Sequence, residues 1–410
     1  MTVSTNDEVR TSIAALLRIG EPGDGLLRRL VDDIGPVAAL AIITAVAGGQ
    51  SSPDEAVAGL ASNGTDAAEG GAAAHGQLAG AIDRWAVRVE DEDGGGDLDK
   101  IARLGGRLVI PGDAEWPSML NDLGSAAPLG LWVRGAAELG AALARAVAVV
   151  GARAASSYGT KCASDLAWDL ASRGITVVSG GAFGIDAAAH RAAIAREAPT
   201  VAFMAGGVDR FYPAANADLF EQILATGAIV SETAPGMTPM RHRFLLRNRL
   251  IAASAQVIVV VEAGWRSGAL NTARHALELS RQVAAFPGSV YSASSTGAHR
   301  LVREHEAELV TCCDDVMALI DEDAPTLFDT SGTGDGHEVL VGHDPVDELD
   351  EREKICLNAL SATKALDAGT TAVRAGLTIA DALSALSALD LAGLAERRDS
   401  GWVKLRKPRG

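Results

Sequence analysis

The stretch VAVVGARAASSYG, Val147–Gly159, runs four apolar residues into a glycine and a loop of small residues. The loop carries one arginine, Arg153, and helical spacing follows it, with Leu166 and Leu170 on one face. A short apolar run is typical of a strand buried in a parallel sheet, and the change of period marks a βα turn. Ligands bind doubly wound sheets at such turns, and free amides at a helix start favour anions. We therefore expect a phosphate site here, with Arg153 as its cation.

Downstream of this stretch, apolar runs alternate with helical patterns as far as Val310. Such alternation predicts an α/β fold with a doubly wound, mostly parallel sheet. The predicted strands are 147–151, 175–179, 200–204, 228–231, 257–261 and 283–286. The predicted helices lie near 160–173, 184–196, 216–226, 243–254 and 268–281.

The same patterns divide the chain into five segments. Residues 1–80 hold short apolar helices separated by glycines; they predict a helical domain of the SAM or helix-hairpin-helix type, which either touches a DNA backbone or serves packing alone. Lead-in strands and a linker occupy 81–143, and the sheet core occupies 144–320. An acidic, aperiodic stretch at 321–350 predicts a disordered linker. Three helical patterns and a hairpin at 351–410 are typical of a winged helix-turn-helix.

The charge is unevenly spread along the chain. The formal net charge of −17 argues, at face value, against a nucleic-acid partner. Between Asp314 and Glu351, however, there are thirteen acidic residues and no lysine or arginine. Between Ala144 and Tyr291, fourteen lysines and arginines stand against ten aspartates and glutamates. Since the local patch governs phosphate binding, the core remains compatible with a nucleic-acid partner.

Several classes of site and location are disfavoured by simple counts. The four cysteines, Cys162, Cys312, Cys313 and Cys356, show no CxxC spacing, which argues against a zinc site or a disulfide framework and favours reduced thiols. No stretch is long and apolar enough to span a bilayer, and Met1–Arg10 is too polar for a signal peptide. We expect a cytoplasmic protein with no membrane partner, no metal and no cofactor.

A second glycine-rich turn, SGGAFGIDAAAH at Ser179–His190, follows the second predicted strand. Gly180, Gly181 and Gly184 free the backbone beside a helix start, which again favours an anion. A dinucleotide site would need G-x-G-x-x-G after the first strand and an acidic residue at the end of the second. The first turn reads GARAAS and the second strand ends in Ser-Gly-Gly, so the sequence argues against a nicotinamide cofactor.

Asp186 and His190 lie four residues apart on one predicted helix face. They could act as a general acid and base. Alternatively, Asp186 braces the glycine loop and His190 is a buried hydrogen-bonding partner. We favour the structural roles, because the sequence places no nucleophile and no third metal ligand nearby.

The loop AGGVDRFYPAANADL, Ala205–Leu219, follows the third predicted strand and so lies at the same sheet edge. Phe211 and Tyr212 could stack on bases while Arg210 meets a phosphate, as in single-strand binding grooves. A Tyr-Pro pair is equally compatible with a packed turn. Both interpretations stay open.

The segment SETAPGMTPMRHRFLLRNRLIAASA, Ser231–Ala255, carries a dense positive cluster. Five basic residues fall within nine positions: Arg241, His242, Arg243, Arg247 and Arg249. Arginines so close repel one another unless acids or phosphates neutralise them, and no acid lies between Glu232 and Glu262. An external polyanion is then the simplest counter-charge. A solvated basic face would more often use lysine and would not interleave Phe244 and Leu245.

A further turn, WRSGALNTARHA at Trp265–Ala276, adds Ser267 and Gly268 at a helix start on the same edge. Five loops with glycines, arginines and aromatic residues thus meet on one rim. No set of acid, base and nucleophile occurs among them. Such a rim is expected to hold a phosphate backbone and to catalyse no reaction.

These segments closely resemble the DNA-processing protein A family (DprA, also called Smf). The matching segments, in order between Val147 and Ser289, are VAVVGARAASSYG, SGGAFGIDAAAH, GGVDRFYPAAN, SETAPGMTP, FLLRNRLIA, VVEAGWRSGALNTA and VAAFPGS. The resemblance implies an extended Rossmann-like core that binds single-stranded DNA cooperatively and forms a homodimer. It also implies a role in natural transformation, in which the protein guards incoming single strands and loads the RecA recombinase onto them.

The resemblance also assigns roles to residues. Arg153 matches a phosphate-binding arginine of the family, and many relatives carry a basic residue where this chain has Ala214. Together with the rim argument, it gives the following residues expected to contact DNA: Gly151, Arg153, Ser156, Gly180, Gly181, Phe183, Gly184, Arg210, Tyr212, Arg241, Arg243, Phe244, Arg247, Asn248, Arg249, Ser267 and Gly268. Asp186 and His190 are expected to be structural.

Two other functions remain as alternatives. The first is a Rossmann-like enzyme that hydrolyses nucleotides and resembles the nucleotide phosphoribohydrolases. Those enzymes carry a PGG-x-GT-x-x-E stretch, whereas this chain has FPGS at Phe286–Ser289 without the glutamate. The second is a transcription regulator that reads duplex DNA through the winged helix.

Overall fold

A computed structural model describes residues 5–62, 71–89, 94–320, 349–361, 365–398 and 401–405. The chain divides into two compact units, Met1–Phe328 and Asp329–Gly410. The predicted acidic linker at 321–350 lies outside the described residues, except for its last two positions.

Helices make up the first part of the chain that the structure describes. They are α1 Thr5–Ile19, α2 Gly25–Ile34, α3 Pro36–Ala47, α4 Pro53–Ser62, α5 Gly71–Ala86 and α6 Gly94–Arg103. Local chemistry sets their ends: the Asp24 carboxylate accepts from the amides of Leu26 and Leu27 at the start of α2, and Pro36 begins α3. Their apolar faces share one core with residues of the sheet described next.

One large sheet forms the centre of the first unit. Its strands are β1 Gly106–Val109, β2 Leu131–Arg134, β3 Ala146–Val150, β4 Thr176–Ser179, β5 Thr200–Phe203, β6 Ala228–Ser231, β7 Val257–Val260, β8 Gln282–Ala285 and β9 Glu308–Leu309. Their order across the sheet is β1-β2-β6-β5-β4-β3-β7-β8-β9. The β1–β2 and β2–β6 pairs are antiparallel, and the remaining neighbours are parallel. The mostly parallel sheet is confirmed, and the predicted strands match β3 to β8 to within one residue at each end.

Helices cover both faces of this sheet. They are α7 Leu139–Leu143, α8 Ser157–Ser172, α9 Ile185–Ala195, α10 Ala217–Thr226, α11 Arg241–Ala253, α12 Gly268–Glu278, α13 Thr296–Arg303 and α14 Cys313–Ile320. Ala146, Ala148 and Val150 of β3 pack in a core with α11 and α12. Val147 and Val149 pack on the opposite face with α8 and α9. Alternate residues of one apolar strand thus serve two cores, which is why the strand is apolar throughout.

The second unit contains three helices and a hairpin in its described residues. These are α15 Glu351–Ala359, α16 Ala368–Ala375, α17 Ile379–Leu391, β10 Ala395–Arg398 and β11 Gly401–Lys404. The hairpin strands pair antiparallel. Asp350 and Glu353 form a capping box at the start of α15. Leu386, Leu389 and Trp402 belong to a separate apolar core within this unit.

No individual helix in the part of the chain that the structure describes combines the length and apolar content of a membrane span. Two sharply bent pairs, α2 with α3 and α16 with α17, pass that test by length and composition when their two helices are joined.

Candidate nucleic-acid interface

The candidate site lies between β3 and β7, where the order in which the chain adds strands to the sheet reverses. From β3 it adds β4, β5 and β6 on one side, and then returns to add β7, β8 and β9 on the other. Because β3 and β7 are neighbours in the sheet, the turns that follow them lead away from each other. Such a divergence opens a crevice at the carboxyl edge of the sheet.

This crevice is a cleft of about 380 Å³, which we call the Arg153 cleft. The sequence-predicted residues that line it are Gly151, Arg153, Asp186, Phe244, Arg247, Asn248, Ser267 and Gly268. An adjoining recess of about 50 Å³ shares Arg153, Phe244 and Arg247 with it. The recess adds Gly180, Phe183 and Tyr212. The fold thus brings residues from all five predicted loops to one place.

Arg153 is an exposed cation of this cleft, as is Arg266. Its guanidinium carbon lies 5.3 Å from the centre of the Phe244 ring, and no carboxylate among the described residues lies within ion-pair distance of it. The Tyr212 ring centre lies 5.5 Å from that of Phe244, with the two planes inclined by 53°. Phe183 and Tyr212 are both about half exposed. A free guanidinium beside accessible ring faces suits one phosphate and one unpaired base.

Arg247 is the buried cation at the floor of the cleft. One of its terminal nitrogens donates to the carbonyl of Gly180 at 2.9 Å and also to that of Phe203. The pKa of Arg247 is lowered to about 10, because burial lowers it more than the charge of Asp186 raises it, and the charge of Arg153 adds to the lowering. Arg247 is therefore still charged at neutral pH. Among the described residues its Nε has no hydrogen-bond partner, although the side chain is only 7% exposed.

Asp186 and His190 have internal partners. The Asp186 carboxylate accepts from the amides of Gly180 and Ala182, each at 3.2 Å, and so braces the glycine loop. Burial raises its pKa despite the opposing charge of Arg247. His190 is fully buried with Nδ1 2.7 Å from the Thr200 hydroxyl, and burial lowers its pKa to about 3, which keeps it neutral. This geometry assigns bracing and packing to the pair, and no proton transfer between them.

Arg243 and Arg249 each have an internal counter-charge, so the prediction that the cluster lacks them is wrong for both. The Arg249 guanidinium pairs with the Glu232 carboxylate at 2.7 and 2.9 Å, with both side chains buried. Arg243 donates to both oxygens of Glu21 at 3.0 Å. Glu21 lies in the loop between α1 and α2, far away in sequence. A count of acids near the cluster in sequence missed partners that the fold supplies.

Ser156 and the start of α8 are also occupied from within. The Glu262 carboxylate, which lies just beyond β7, accepts from the Ser156 amide at 2.9 Å and from its hydroxyl at 2.5 Å. A Cβ at Gly159 would collide with that carboxylate, so Glu262 packs against the first turn of the helix. An anion at this helix start would meet a negative charge. The predicted phosphate site therefore shifts from the α8 amides to the Arg153 side chain.

The glycines of the second turn have packing roles that require no ligand. Gly184 has a φ of +76°, and a Cβ there would strike the backbone of Ala152 and Arg153. A Cβ at Gly180 would strike the Arg247 guanidinium. These glycines let the two turns and the buried arginine approach each other, and they thereby shape the cleft.

Asn248, Ser267 and Gly268 form the far wall of the cleft. The Asn248 amide donates to the Gly268 carbonyl at 3.3 Å and to the Asn271 side chain at 3.1 Å, which holds α12 against α11. The Ser267 hydroxyl caps α12 by accepting from the Ala269 amide. These hydrogen bonds fix the start of α12, and with it the far wall, relative to α11.

Arg210 and Arg241 are exposed at the rim, and neither lines the cleft or its recess. Arg210 lies at 4.0 Å from Asp209, which is itself held by Lys100 at 2.8 Å. Within the described ranges, Arg241 at the first position of α11 has no carboxylate at ion-pair distance. Both side chains remain available to a strand that runs along the edge.

Arg266 also lines the cleft but was not among the predicted DNA contacts. Its place in the loop after a parallel strand was the signal that could have identified it. No role was predicted for Glu21 or Glu262. Among the described residues, no group of three or more His, Cys, Asp or Glu side chains could hold a metal ion.

The fold and cleft define a doubly wound α/β protein with a basic, aromatic-flanked cleft at its switch point. Residues 107–321 match the family model described as DNA recombination-mediator protein A. A protein of Mycobacterium tuberculosis strain H37Rv, named as a DNA processing protein DprA, is 45% identical over 340 residues, which cover 79% of this chain and 83% of that one. The chain belongs to this DprA/Smf family.

Other relatives agree with this assignment. Protein Smf of Escherichia coli strain K12 is 33% identical over 302 residues, covering 73% of this chain and 78% of the relative. The X-ray structure of DprA from Streptococcus pneumoniae superposes with a TM-score of 0.59 at 28% identity, covering 78% of this chain and 98% of that chain. The family description and these names support a role in DNA processing and recombination.

Proposed function

We propose that this protein binds single-stranded DNA in the Arg153 cleft as a recombination mediator and catalyses no reaction. The observation that carries the proposal is the exposed Arg153, which has no carboxylate at ion-pair distance among the described residues and lies over the Phe244 ring beside the half-exposed ring of Tyr212. The faces of paired bases are covered by their neighbours in a duplex, whereas unpaired bases can stack on side chains. The cleft therefore suits a single strand.

The wider role rests on the family. As a recombination mediator, the protein would protect incoming single strands and load RecA onto them, in natural transformation or in related DNA processing. It would act in the cytoplasm as a homodimer. The family description as a recombination mediator and the DprA names of its relatives support this role. The alternative of nucleotide hydrolysis finds no support in the cleft, where Asp186 is committed to backbone amides.

The flanking segments complete the proposed organisation. Residues 1–80 would form an accessory helical domain, 81–143 the lead-in to the sheet and 144–320 the DNA-binding core. The acidic segment 321–350 would link this core to a winged helix at 351–410. Three helices followed by an antiparallel hairpin, β10–β11, support the winged-helix assignment.

Fluorescence anisotropy of labelled oligo-dT and of a matched duplex tests the proposal. Arg153→Ala should weaken oligo-dT binding by about 1.5–3 kcal/mol, the usual value of a hydrogen bond to a charged group. Arg191→Ala, an exposed arginine on α9 outside the cleft, is the matched control and should bind as the wild type does. Equal affinity of the wild type for the duplex, or wild-type binding by Arg153→Ala, would contradict the proposal.

A further inference from the structure

A second cleft lies beyond the far wall of the first one. It measures about 260 Å³, and its lining includes Trp265, Arg266, Arg274 and Arg300. Arg266 and Ser267 line both this cleft and the Arg153 cleft. The two clefts are therefore adjacent stretches of one surface, which crosses the start of α12.

The chemistry of the second cleft repeats that of the first. The Trp265 side chain is 55% exposed, and the guanidinium carbon of Arg300 lies 5.2 Å from its ring. Arg266 and Arg274 are exposed, and neither has a carboxylate within ion-pair distance among the described residues. Arg300 lies 3.5 Å from Glu304, and Glu306 stands at the margin as an acidic member. An open indole face beside two unneutralised cations is a combination that binds a base and its phosphates.

We propose that this second cleft is a further nucleotide subsite for the same strand. Single-stranded DNA leaving the Arg153 cleft crosses Ser267, stacks one base on Trp265 and places a phosphate between Arg266 and Arg274. This inference rests on the proposed function. An acidic protein surface would also suit the cations, but the shared lining of Arg266 and Ser267 favours continuation of one strand over a separate partner.

The test compares oligonucleotides of increasing length on the full chain. Labelled oligo-dT from about 4 to about 16 nucleotides spans the site sizes of single-strand binding folds. The variants are Trp265→Ala and Arg274→Gln. The chain offers matched controls: Trp168→Ala removes another exposed tryptophan that is covered by an arginine, Arg196 at 4.9 Å, and Arg191→Gln removes another exposed arginine. Neither control residue lines either cleft.

The wild type should gain affinity once the oligonucleotide is long enough to reach the second cleft. Trp265→Ala should lose roughly 5- to 150-fold on those long strands, the effect of one lost base–aromatic stack, and nothing on the shortest ones. Arg274→Gln should lower the salt slope by about 0.7 on long strands only. Both controls should follow the wild type at every length. Binding of long strands should also quench tryptophan fluorescence in Trp168→Ala more than in Trp265→Ala.

Wild-type behaviour of Trp265→Ala at every length would overturn the subsite, and so would an equal loss on short and long strands. Quenching of Trp265 by poly-glutamate, with none by oligo-dT, would assign the cleft to an acidic protein surface and overturn it too. Failure of the proposed function would look different, because the wild type would then bind no single strand at any length.

Discussion

Three arginines of α11 are buried, Arg243, Arg247 and Arg249, yet only Arg247 leaves its charge available to a ligand. The Arg249 guanidinium donates to both carboxylate oxygens of Glu232, so the two charges neutralise each other. Arg247 is held by two backbone carbonyls, which satisfy its hydrogens without cancelling its charge. Together with Arg153 and Arg266 it makes the cleft positive, and Asp186 is the one carboxylate among the described residues that line it. The partner of an arginine, and not its position in a basic cluster, determines whether it can attract DNA.

Arg247→Ala should weaken both DNA binding and the fold. The substitution removes a cation from the cleft and leaves the carbonyls of Gly180 and Phe203 without their donor, at about 1–3 kcal/mol for each unsatisfied group. Arg153→Ala, at an exposed position, should weaken binding alone. Chemical unfolding and anisotropy on the two variants separate these effects. A variant of Arg247 with normal stability and normal binding would contradict the role given to it here.

Arg249→Ala should cost stability without a direct loss of DNA contact. It strands Glu232 as a buried, unpaired carboxylate, which typically costs about 3–5 kcal/mol. Replacing both partners, as Arg249→Met with Glu232→Leu, should cost less than the single change, because no charge is left buried. Urea unfolding measures the cycle. Reduced DNA affinity in a fully folded Arg249→Ala protein of unchanged stability would show that the internal pair is not its main role.

At the level of elements, α11 joins three parts of the molecule. Its last residues, including Ile251 and Ala253, are buried against the sheet. Its first turns carry Phe244 to the cleft and Arg243 to Glu21 between α1 and α2. Glu21 also meets His242 at 3.4 Å and Arg88 at 3.0 Å. Contacts of Glu21 thus link the helical segment at the start of the chain to α11, the helix that lines the Arg153 cleft.

The interactions of the Glu21 carboxylate with α11 should weaken in acid. Burial raises the pKa of Glu21, but the hydrogen bonds of Arg243 and His242 and the charges of Arg243 and Arg88 outweigh burial and hold the pKa below its ordinary value of 4.5. A carboxylate with a lowered pKa stabilises the fold above its unfolded pKa, and the stabilisation is lost as pH falls through the folded pKa. Stability should therefore drop below about pH 4.5 in the wild type. Glu21→Gln should start less stable at neutral pH and lose less over that range in circular dichroism melts; an identical acid profile would refute the assignment.

The whole molecule is acidic, yet the Arg153 cleft is basic. The net charge of −17 includes the acidic stretch between Asp314 and Glu351, whereas the cleft presents Arg153 and Arg247 with Arg241 and Arg210 at its rim. Local counter-charges thus govern binding, and the total charge limits non-specific attraction. The affinity for oligo-dT should therefore depend on salt through the few arginines of the cleft and its rim.

Oligo-dT affinity should fall with salt along a shallow slope. Three or four arginine–phosphate contacts at about 0.7 each for single strands predict a slope of about −2 to −3 in log affinity against log salt concentration. Anisotropy over a salt series measures it, and Arg153→Ala should be shallower by about 0.7. A slope near zero would mean that phosphates do not reach these arginines.

The sequence alone was enough for the α/β architecture and for the meeting of the five predicted loops at one edge of the sheet. Apolar runs such as 147–150 are buried on both sides of a sheet, so their period reveals strands, and the turn after a parallel strand must lie at the carboxyl edge. It also singled out Arg153, in the turn after the first predicted strand of the core, and Phe244, within the basic cluster. These features follow from short-range order along the chain.

Only the tertiary structure could decide which cations are free. Glu21 reaches Arg243 across more than two hundred residues, and Glu262 reaches Ser156 across more than one hundred. Because electrostatic pairing depends on distance in space, a charge count along the chain cannot distinguish an arginine that an internal carboxylate neutralises from one that awaits a phosphate.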